Sequence, residues 1–309
     1  MKVVRYLSAG SDAPAVGRSD DGVVRPVGTA SMAELLRLDV AGIRSLLEAA
    51  AAGDPVEEPR LLPPLDGRTE VWTAGVTHHC SLAGWRAAST QPSVYELAYD
   101  ARRPELSFKA PAWRVVTDRD PICVRGDSAN SVPEPELALV LTAGGQVAGY
   151  TVCDDVSSRS IERANPLYRS QAKVYDGSCA LAAGWRPAWE VPDPYDLTVR
   201  VMVVREGAAV WTGATSTSTV HRRFEDLVQD LRRELSFPDG AVLSTGSGLV
   251  PATAFTLCPG DLVTIEIEEV GQLRTPVAAG RSVRDVVELL PVPAGRPVDD
   301  DATCPAVAR

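Results

Sequence analysis

PEPELALVL, at residues 133–141, is the strongest local signal in this 309-residue sequence. Its apolar end is typical of a buried strand, and Glu134 and Glu136 stand two positions apart at its start. Because side chains two apart on a strand share a face, both carboxylates are expected side by side. Neighbouring carboxylates repel one another, so the pattern predicts either solvated acids on an edge strand or a cation that offsets their charge.

The next strand, GYTVCDD, ends in Asp154 and Asp155 and leads into the polar helical start VSSRSIER. An acid at a strand end beside a helix start is placed to point into a cleft. Without a nearby histidine or cysteine cluster, three carboxylates favour a hard cation such as Mg²⁺ or Mn²⁺, with open positions for a bidentate ligand. The alternative is that one of the two aspartates caps the following helix.

Lys173 lies in QAKVYDGSCAL, with apolar residues on both sides and a turn signal after it. Its amine either reaches the surface, the commoner fate of a lysine, or acts as a base beside a metal and Arg159. A nearby cation would lower the pKa of Lys173, whereas neighbouring carboxylates would raise it.

Two further segments carry polar groups suited to a pocket. TGSGLVP, at residues 245–251, lacks the lysine of a P-loop and the spacing of a dinucleotide fingerprint, so it predicts a tight turn that lines a pocket. His78, His79 and Cys80 are adjacent, and adjacent side chains of an extended segment face opposite ways, which disfavours a metal trio. His221 is expected at the surface or in a pocket, near the helix that begins at Phe224.

The chain is predicted to form two domains and a tail. Residues 31–52 predict a helix with a broad leucine-rich face and a capping box of Ser31 and Glu34. The proline-rich segment EEPRLLPPLDGR then indicates a boundary near residue 65. We expect a small N-terminal domain with its linker at 1–65, a metal-dependent catalytic domain at 66–291 and a mobile tail at 292–309.

Short apolar segments dominate the larger domain and predict an α+β fold. The candidate strands are Leu137–Leu141, Tyr150–Val152, Leu197–Val204 and Leu262–Ile267. A hairpin is expected around Glu206-Gly207, and an amphipathic helix at Phe224–Leu235.

Composition excludes several classes of protein. Hydrophobic residues make up 45% and charged residues 23%, which is ordinary globular usage rather than that of a disordered or coiled-coil chain. The net charge of −10 and the lack of a basic, aromatic-rich window argue against nucleic acid or anionic membranes as partners. No apolar run approaches the ~18–20 residues of a membrane span, and six scattered cysteines indicate neither a disulfide scaffold nor structural zinc, so a cytoplasmic protein is expected.

Five motifs in order resemble the fumarylacetoacetate hydrolase superfamily over most of residues 70–280. They are Glu134-x-Glu136, DDVSSR with Asp155, the Lys173 segment, TGSGLVP and PGDLVTIEIEEVGQLRTPV. RPELSFKA (103–110), SSRSIERANPLY, QAKVYDGSCAL, TSTVHRRFEDLV and FPDG are similar to the branch of 2-keto-3-deoxy-pentonate dehydratases, which includes the arabinonate and xylonate enzymes. Ser160, where the hydrolases usually carry Asp, favours the same branch.

The resemblance implies an architecture and a cofactor. The expected fold is a mixed β-roll or β-sandwich catalytic domain of the fumarylacetoacetate hydrolase type with a small N-terminal α/β domain, in a homodimer. The counterparts of Glu134, Glu136 and Asp155 bind Mg²⁺, with Mn²⁺ or Ca²⁺ possible in the same site. A 2-oxo acid chelates that metal, and Lys173 is the implied base.

Roles for the remaining candidates follow from dehydration chemistry. A metal on the 2-oxo group acidifies the C3 proton, which Lys173 removes, and Glu105 is the candidate donor for the departing C4 hydroxyl. Glu105 alternatively forms a salt bridge with Arg102 or Arg103. Arg159 either orients the substrate carboxylate or pairs with Asp155 or Glu136. The further substrate-binding candidates are Thr245, Gly246, Ser247, His78, His79 and Trp85.

The sequence departs from the branch at GVTHHCSLAGWRAASTQPS, where a tyrosine and several arginines and glutamates are expected. Because this altered loop, residues 78–90, belongs to the pocket mouth in such folds, the metal chemistry is expected to persist with a changed substrate preference. We therefore expect a Mg²⁺-dependent lyase that dehydrates a 2-keto-3-deoxy sugar acid or a related 2-oxo acid. The alternatives are a C–C hydrolase of acylpyruvate-like compounds with His78 or His79 as base, a 2-oxo diacid decarboxylase, and a catalytically silent metabolite-binding homologue.

Overall fold

The computed structural model describes residues 1–78 and 94–280, and its secondary structure is mostly β. The helices are α1 (Met32–Leu36), α2 (Val40–Ala50), α3 (Val94–Tyr99), α4 (Arg159–Ala164), α5 (Arg169–Lys173) and α6 (Phe224–Leu231). The strands are β1 (Lys2–Leu7), β2 (Ala15–Asp20), β3 (Val23–Pro26), β4 (Arg60–Leu62), β5 (Glu70–Gly75), β6 (Glu105–Pro111), β7 (Ile122–Val124), β8 (Ser131–Val132), β9 (Pro135–Leu141), β10 (Val147–Asp155), β11 (Ser157–Ser158), β12 (Cys179–Leu181), β13 (Gly184–Pro187), β14 (Thr198–Arg205), β15 (Ala208–Ser216), β16 (Ala241–Ser244), β17 (Leu262–Ile267) and β18 (Gly271–Ala279).

Two mixed sheets form the framework and confirm the α+β prediction. The larger sheet has the order β3-β2-β1-β13-β10-β9-β16-β5-β6, with β12 beside β10 and β4 beside β1. The smaller sheet has the order β15-β14-β17-β18-β7. Most neighbours are antiparallel, whereas β16 runs parallel to β5 and β18 parallel to β7.

Strand β9 is buried on both faces, which explains its continuous apolar sequence. Leu137, Leu139 and Leu141 share a buried cluster with the inward valines of β14. Ala138 and Val140 on the opposite face share a second cluster with the leucines of α1 and α2. The strand therefore lies between the smaller sheet and the N-terminal helices, and its first residues are held by packing on both sides.

The N-terminal region differs in detail from the prediction. The single helix expected over residues 31–52 is wrong, because Asp39 interrupts it and accepts a hydrogen bond from the Gly42 N–H to start α2. Ser31 caps α1 as expected, its hydroxyl accepting from the Glu34 N–H. Strand β1 pairs with β13 and so extends the larger sheet. The division at residue 65 stays a prediction, and the tail at 292–309 lies outside the described residues.

The hairpin around residues 206–207 is confirmed, and the helix after Phe224 is shorter than expected. Glu206 and Gly207 both have positive φ, which matches the twist of the hairpin joining β14 to β15. Helix α6 ends at Leu231, and the predicted end, Leu235, is exposed. The chain leaves the helix there because Phe237 turns back into the core. None of the described helices is long and apolar enough to span a bilayer.

Candidate metal centre

Glu134, Glu136 and Asp155 come together at one end of the larger sheet. One oxygen from each lies within 4.8 Å of the others, and all three side chains are buried. Register explains the meeting: Glu136 lies opposite Cys153, so Asp155, two residues further along β10, shares a face with the glutamates. The alternative of solvated acids on an edge strand is wrong, because β9 lies between β10 and β16.

Neither aspartate at the end of β10 caps the following helix. Ser158 caps α4 instead, its hydroxyl accepting from the Ile161 N–H. Asp154 is fully buried, and one of its oxygens accepts a hydrogen bond from the Glu134 N–H at 3.0 Å. Burial raises the pKa of Asp154 to about 8, so at neutral pH this carboxyl is mostly protonated and uncharged.

The electrostatics of the three acids fit a divalent cation. Burial, together with repulsion from Asp155 and Glu134, raises the pKa of Glu136 to about 8. Burial also opposes ionisation of Asp155, but Lys109 and Lys173 outweigh it and hold the pKa of Asp155 well below its usual range. Because no cation among the described residues forms an ion pair with Glu136 and the donors are all carboxylate oxygens, the cluster matches the hard cations Mg²⁺ and Mn²⁺.

Lys173 is buried at the centre of the cluster, so the surface alternative is wrong. Its Nζ lies 2.6 Å from Asp155 Oδ2, 2.9 Å from Glu134 Oε2 and 2.8 Å from the Ser157 hydroxyl. Burial opposes its charge, but the two carboxylates dominate and raise the pKa of Lys173 well above its ordinary value. The carboxylate influence therefore outweighs the lowering expected from a nearby guanidinium, and the role of Lys173 as a base stays a prediction.

Arg159 and Glu105 have other partners than the sequence suggested. Arg159 pairs with Glu134 and with Glu162, both at 2.7 Å, rather than with Asp155 or Glu136. Its place in the fold explains this, because Arg159 and Glu162 stand three residues apart on one face of α4.

Glu105 pairs with Arg169 at 2.8 Å and accepts from the Gly75 N–H at 2.9 Å, rather than pairing with Arg102 or Arg103. Arg169 starts α5, the short helix that ends at Lys173, so this ion pair ties β6 to the segment of the candidate base. Both partners of Glu105 line the cavity described next, and its role as proton donor stays a prediction.

A cavity of about 760 Å³ opens onto the acids. Its lining includes Glu134, Glu136, Arg159 and Lys173 on one side and the turn at residues 246–253 on the other. Gly246, at φ +92°, turns its N–H onto Glu136 Oε2 at 2.9 Å, which confirms the tight turn that lines a pocket.

Of the other substrate-binding candidates within the described residues, Ser247 lines this cavity, and Thr245 and His78 do not. The hydroxyl of Thr245 is buried and donates to the Leu137 carbonyl. His78 is buried beside Thr219, with Nδ1 2.9 Å from the hydroxyl, and burial lowers the pKa of His78 to about 4. His221 stacks on Tyr99 at 4.4 Å, near the start of α6. His79, Cys80 and Trp85 lie outside the described residues.

Sequence reasoning missed Lys109, Thr73 and Ser244, which all contact the acid cluster. Lys109 is fully buried and forms an ion pair with Asp155 Oδ1. The Thr73 hydroxyl donates to Asp155 Oδ2 at 3.2 Å, and the Ser244 hydroxyl donates to Glu136 Oε2 at 2.5 Å. Composition held a signal for the lysine: the chain has 31 basic residues, of which only Lys2, Lys109 and Lys173 are lysines.

Comparison with known proteins gives consistent matches. The family model described as fumarylacetoacetate (FAA) hydrolase C-terminal matches residues 80–278. A 2-dehydro-3-deoxy-D-arabinonate dehydratase of Saccharolobus solfataricus is 38% identical over 256 residues, covering 81% of this chain and 84% of the relative. A probable 2-keto-3-deoxyxylonate dehydratase of Haloferax volcanii is 40% identical over 277 residues, covering 88% and 95% respectively.

Solved structures agree with the sequence matches. A 2-keto-3-deoxy-D-arabinonate dehydratase complexed with magnesium and 2,5-dioxopentanoate superposes with a TM-score of 0.78 at 33% identity, covering 91% of this chain and 100% of that one. A maleylpyruvate hydrolase from Sphingobium, 17% identical, gives a TM-score of 0.67 and shares the fold.

Proposed function

Because the chain belongs to the fumarylacetoacetate hydrolase family, we propose that it is a Mg²⁺-dependent lyase that dehydrates a 2-keto-3-deoxy sugar acid, with a 2-keto-3-deoxy-pentonate as first candidate. The observation that carries the proposal is the buried triad of Glu134, Glu136 and Asp155, of which the two glutamates line the cavity together with Lys173. Similarity to dehydratases at 38% and 40% identity over most of the chain supports this reaction type.

The three acids supply the ligands, and the cavity supplies room for a five-carbon acid. Mg²⁺ held by Glu134, Glu136 and Asp155 would polarise the 2-oxo group and so acidify the adjacent C3–H. The chain's own part is to hold the acids in place, since Arg159 fixes Glu134 while Ser244 and the Gly246 N–H fix Glu136.

Lys173 is the proposed base for the C3 proton. It lines the cavity, and its amine already lies within hydrogen-bonding distance of two acids of the triad. A base must lose its own proton first, and the present contacts with Asp155 and Glu134 oppose that loss. For Lys173 to act as a base, its amine must therefore give up at least one of these carboxylate contacts and contact the substrate instead.

Glu105 is the proposed donor for the departing C4 hydroxyl. It contacts Arg169 and the Gly75 N–H, two groups that line the cavity next to the triad. Arg159 already pairs with two acids, so we assign it to holding Glu134 rather than to a chemical step. Ser247 and the Gly246 main chain are the proposed contacts to the substrate hydroxyls.

The alternative reactions are less favoured. C–C hydrolysis needs a water-activating base, and His78, the candidate within the described residues, is buried between Thr219 and the glycine turn and does not itself line the cavity. His79 lies outside the described residues. A silent metabolite-binding homologue would have no need of the intact acid triad with Lys173 beside it.

The test is a product assay on the full chain with Mg²⁺. The panel contains 2-keto-3-deoxy-D-arabinonate, 2-keto-3-deoxy-D-xylonate, an acylpyruvate and oxaloacetate, with products identified by mass. Loss of one water from the sugar acids is the expected result, and it should stop with EDTA. C–C cleavage, CO₂ release or no turnover on the whole panel would each contradict the proposal.

The same panel tests whether residues 78–90 alter specificity. The sequence predicts a less cationic pocket mouth there, and hence poor turnover of the simple pentonates. A kcat/KM near ~10⁴–10⁵ M⁻¹s⁻¹ for these pentonates, ordinary for a natural substrate, would contradict that expectation and leave the dehydratase assignment intact.

We also propose a cytoplasmic homodimer whose partner is the small 2-oxo acid, without nucleic acid or membrane. The family resemblance supports the dimer, and the acidic composition supports the absence of anionic partners. Light scattering on the purified chain should give twice the mass of 32.9 kDa.

A further inference from the structure

Each acid of the triad has one oxygen paired with a group from another part of the chain, through an ion pair in two acids and through hydrogen bonds in the third. For Asp155 this is Oδ1, which pairs with Lys109, and for Glu134 it is Oε1, which pairs with Arg159 at 2.7 Å. For Glu136 it is Oε2, which accepts from the Ser244 hydroxyl at 2.5 Å and the Gly246 N–H at 2.9 Å.

The opposite oxygens of two acids converge on a common point. Glu134 Oε2 and Asp155 Oδ2 both bond the ammonium of Lys173, at 2.9 and 2.6 Å. These two oxygens therefore share the Lys173 ammonium, and Asp155 Oδ2 also accepts from the Thr73 hydroxyl at 3.2 Å. The second oxygen of each of these two acids pairs with a different cation, Lys109 or Arg159. Glu136 follows the same pattern, because both of its donors contact Oε2 and leave Oε1 without either of them.

Lys109 is the most firmly held of the outer donors. Its side chain is fully buried, and its Nζ donates to the main-chain carbonyls of Val156 at 3.1 Å and Lys173 at 2.6 Å in addition to pairing with Asp155. Two of its three ammonium protons go to these carbonyls, and its charge pairs with Asp155 Oδ1. The buried amine therefore faces Asp155 Oδ1 and is not part of the cavity lining formed by the described residues.

Occupying one oxygen of each carboxylate restricts how a metal is held. Mg²⁺ takes six ligands in near-octahedral geometry, whereas Ca²⁺ takes six to eight and commonly binds carboxylates through both oxygens. A triad that offers one oxygen per acid supplies three ligands and prevents the expansion to higher coordination that favours Ca²⁺.

We infer that Lys109, as the permanent partner of Asp155 Oδ1, is a positioning residue that selects Mg²⁺ over Ca²⁺ by limiting Asp155 to one ligating oxygen. The inference rests on the proposed Mg²⁺ site. Lys109 is a suitable residue to test because it does not belong to the cavity lining formed by the described residues, so its replacement removes no side chain that lines the cavity.

The experiment measures Mg²⁺ and Ca²⁺ affinities by calorimetry on the EDTA-stripped full chain, for wild type and Lys109→Met. Methionine matches the aliphatic part of the lysine side chain up to Cε and lacks the ammonium, which frees Asp155 Oδ1 from its ion pair. Loss of a partner that orients a metal ligand typically changes metal affinity 10–100-fold. We expect the preference for Mg²⁺ over Ca²⁺ to fall by about tenfold or more in the variant, mainly through tighter Ca²⁺ binding.

Lys2→Met is the matched control, since Lys2 lies on β1 and the same substitution there removes a lysine outside the triad. Its Mg²⁺ to Ca²⁺ preference should equal that of wild type. An unchanged preference in folded Lys109→Met, checked by circular dichroism, would overturn the inference.

Lys109→Gln provides a second route if Lys109→Met does not fold. It removes the charge that pairs with Asp155 Oδ1 and keeps a polar group near the buried carbonyls of Val156 and Lys173, so a shift toward Ca²⁺ is expected here too. An unchanged preference in folded Lys109→Gln would also overturn the inference. Wild-type protein that binds no Mg²⁺ would overturn both this inference and the proposed cofactor, whereas wild type that binds Mg²⁺ without dehydrating the sugar acids would contradict only the proposed reaction.

Discussion

Replacing Glu136 with glutamine should remove a pH dependence of stability that its burial creates. In the folded, metal-stripped protein the pKa of Glu136 is raised to about 8 from an ordinary 4.5. Between these two values the folded state holds a proton that the unfolded chain has already lost. The folded state therefore binds more protons in this window, and the free energy of unfolding falls as the pH rises.

The size of the effect follows from the width of the window. For one proton bound only by the folded state, the free energy of unfolding falls by about 1.4 kcal/mol per pH unit. The interval from pH 4.5 to about 8 therefore gives an upper limit of about 5 kcal/mol. Above pH 8 both states have lost the proton and the contribution becomes constant. Asp154, whose pKa is also raised to about 8, adds a similar slope, so the diagnostic quantity is the difference between wild type and Glu136→Gln.

Urea unfolding of both proteins in EDTA, at intervals from pH 5 to pH 9, measures this difference. The free energy of unfolding of Glu136→Gln, relative to that of wild type, should rise progressively up to pH 8, by several kcal/mol in total. Added Mg²⁺ should stabilise wild type more at pH 8 than at pH 6, because the metal binds the ionised carboxylate, and should stabilise the variant much less. Parallel pH profiles for the two metal-stripped proteins would refute the reasoning.

Three further predictions test the base, the turn and the core. Lys173→Met should keep Mg²⁺ and substrate-analogue binding in calorimetry but lose about two to four orders of magnitude in turnover, and full activity would contradict its role as base. Gly246→Ala should weaken Mg²⁺ binding, because a Cβ there would lie 2.0 Å from a neighbouring threonine hydroxyl at a φ of +92°, whereas Gly126→Ala, in open space, should not. Leu227→Ala should lower the free energy of unfolding in urea by about 2–5 kcal/mol because Leu227 is fully buried in α6, whereas exposed Leu235→Ala should change it by less than about 0.5 kcal/mol.

The grouping of the acids was predictable because short-range geometry determines it. Alternation along β9 places Glu134 and Glu136 on one face whatever the rest of the fold does. Asp155 joins them because the two strands are neighbours in sequence and pair antiparallel, the commonest arrangement for consecutive strands. The Glu134 and Glu136 pair alone left a metal open against solvated acids, the third carboxylate favoured a hard cation, and the family resemblance then implied Mg²⁺ on these three residues.

The partners of the charged side chains were not predictable in the same way. Arg159 lies close in sequence to Asp155, yet it pairs with Glu134, 25 positions earlier, because α4 begins only after the short strand β11 has turned the chain. Glu105 has two arginines immediately before it and pairs instead with Arg169 of α5. Such pairings depend on how distant elements pack, and a single sequence carries no pattern for that.

Lys109 could have been singled out from composition, because lysine is rare in this chain, but not from the periodicity of its strand. Most cations of this chain are arginines, which suits bidentate pairing with carboxylates through a wide, planar group. A buried point where a carboxylate and two carbonyls converge within about 3 Å instead requires a compact group with three donors, and an ammonium meets that requirement better than a guanidinium. Two of the three lysines meet on the two oxygens of Asp155, Lys109 on Oδ1 and Lys173 on Oδ2. In a chain whose other basic residues are arginines except for Lys2, the two buried lysines therefore mark the place where the geometry of a single carboxylate has to be fixed, and this carboxylate is a proposed ligand of the metal.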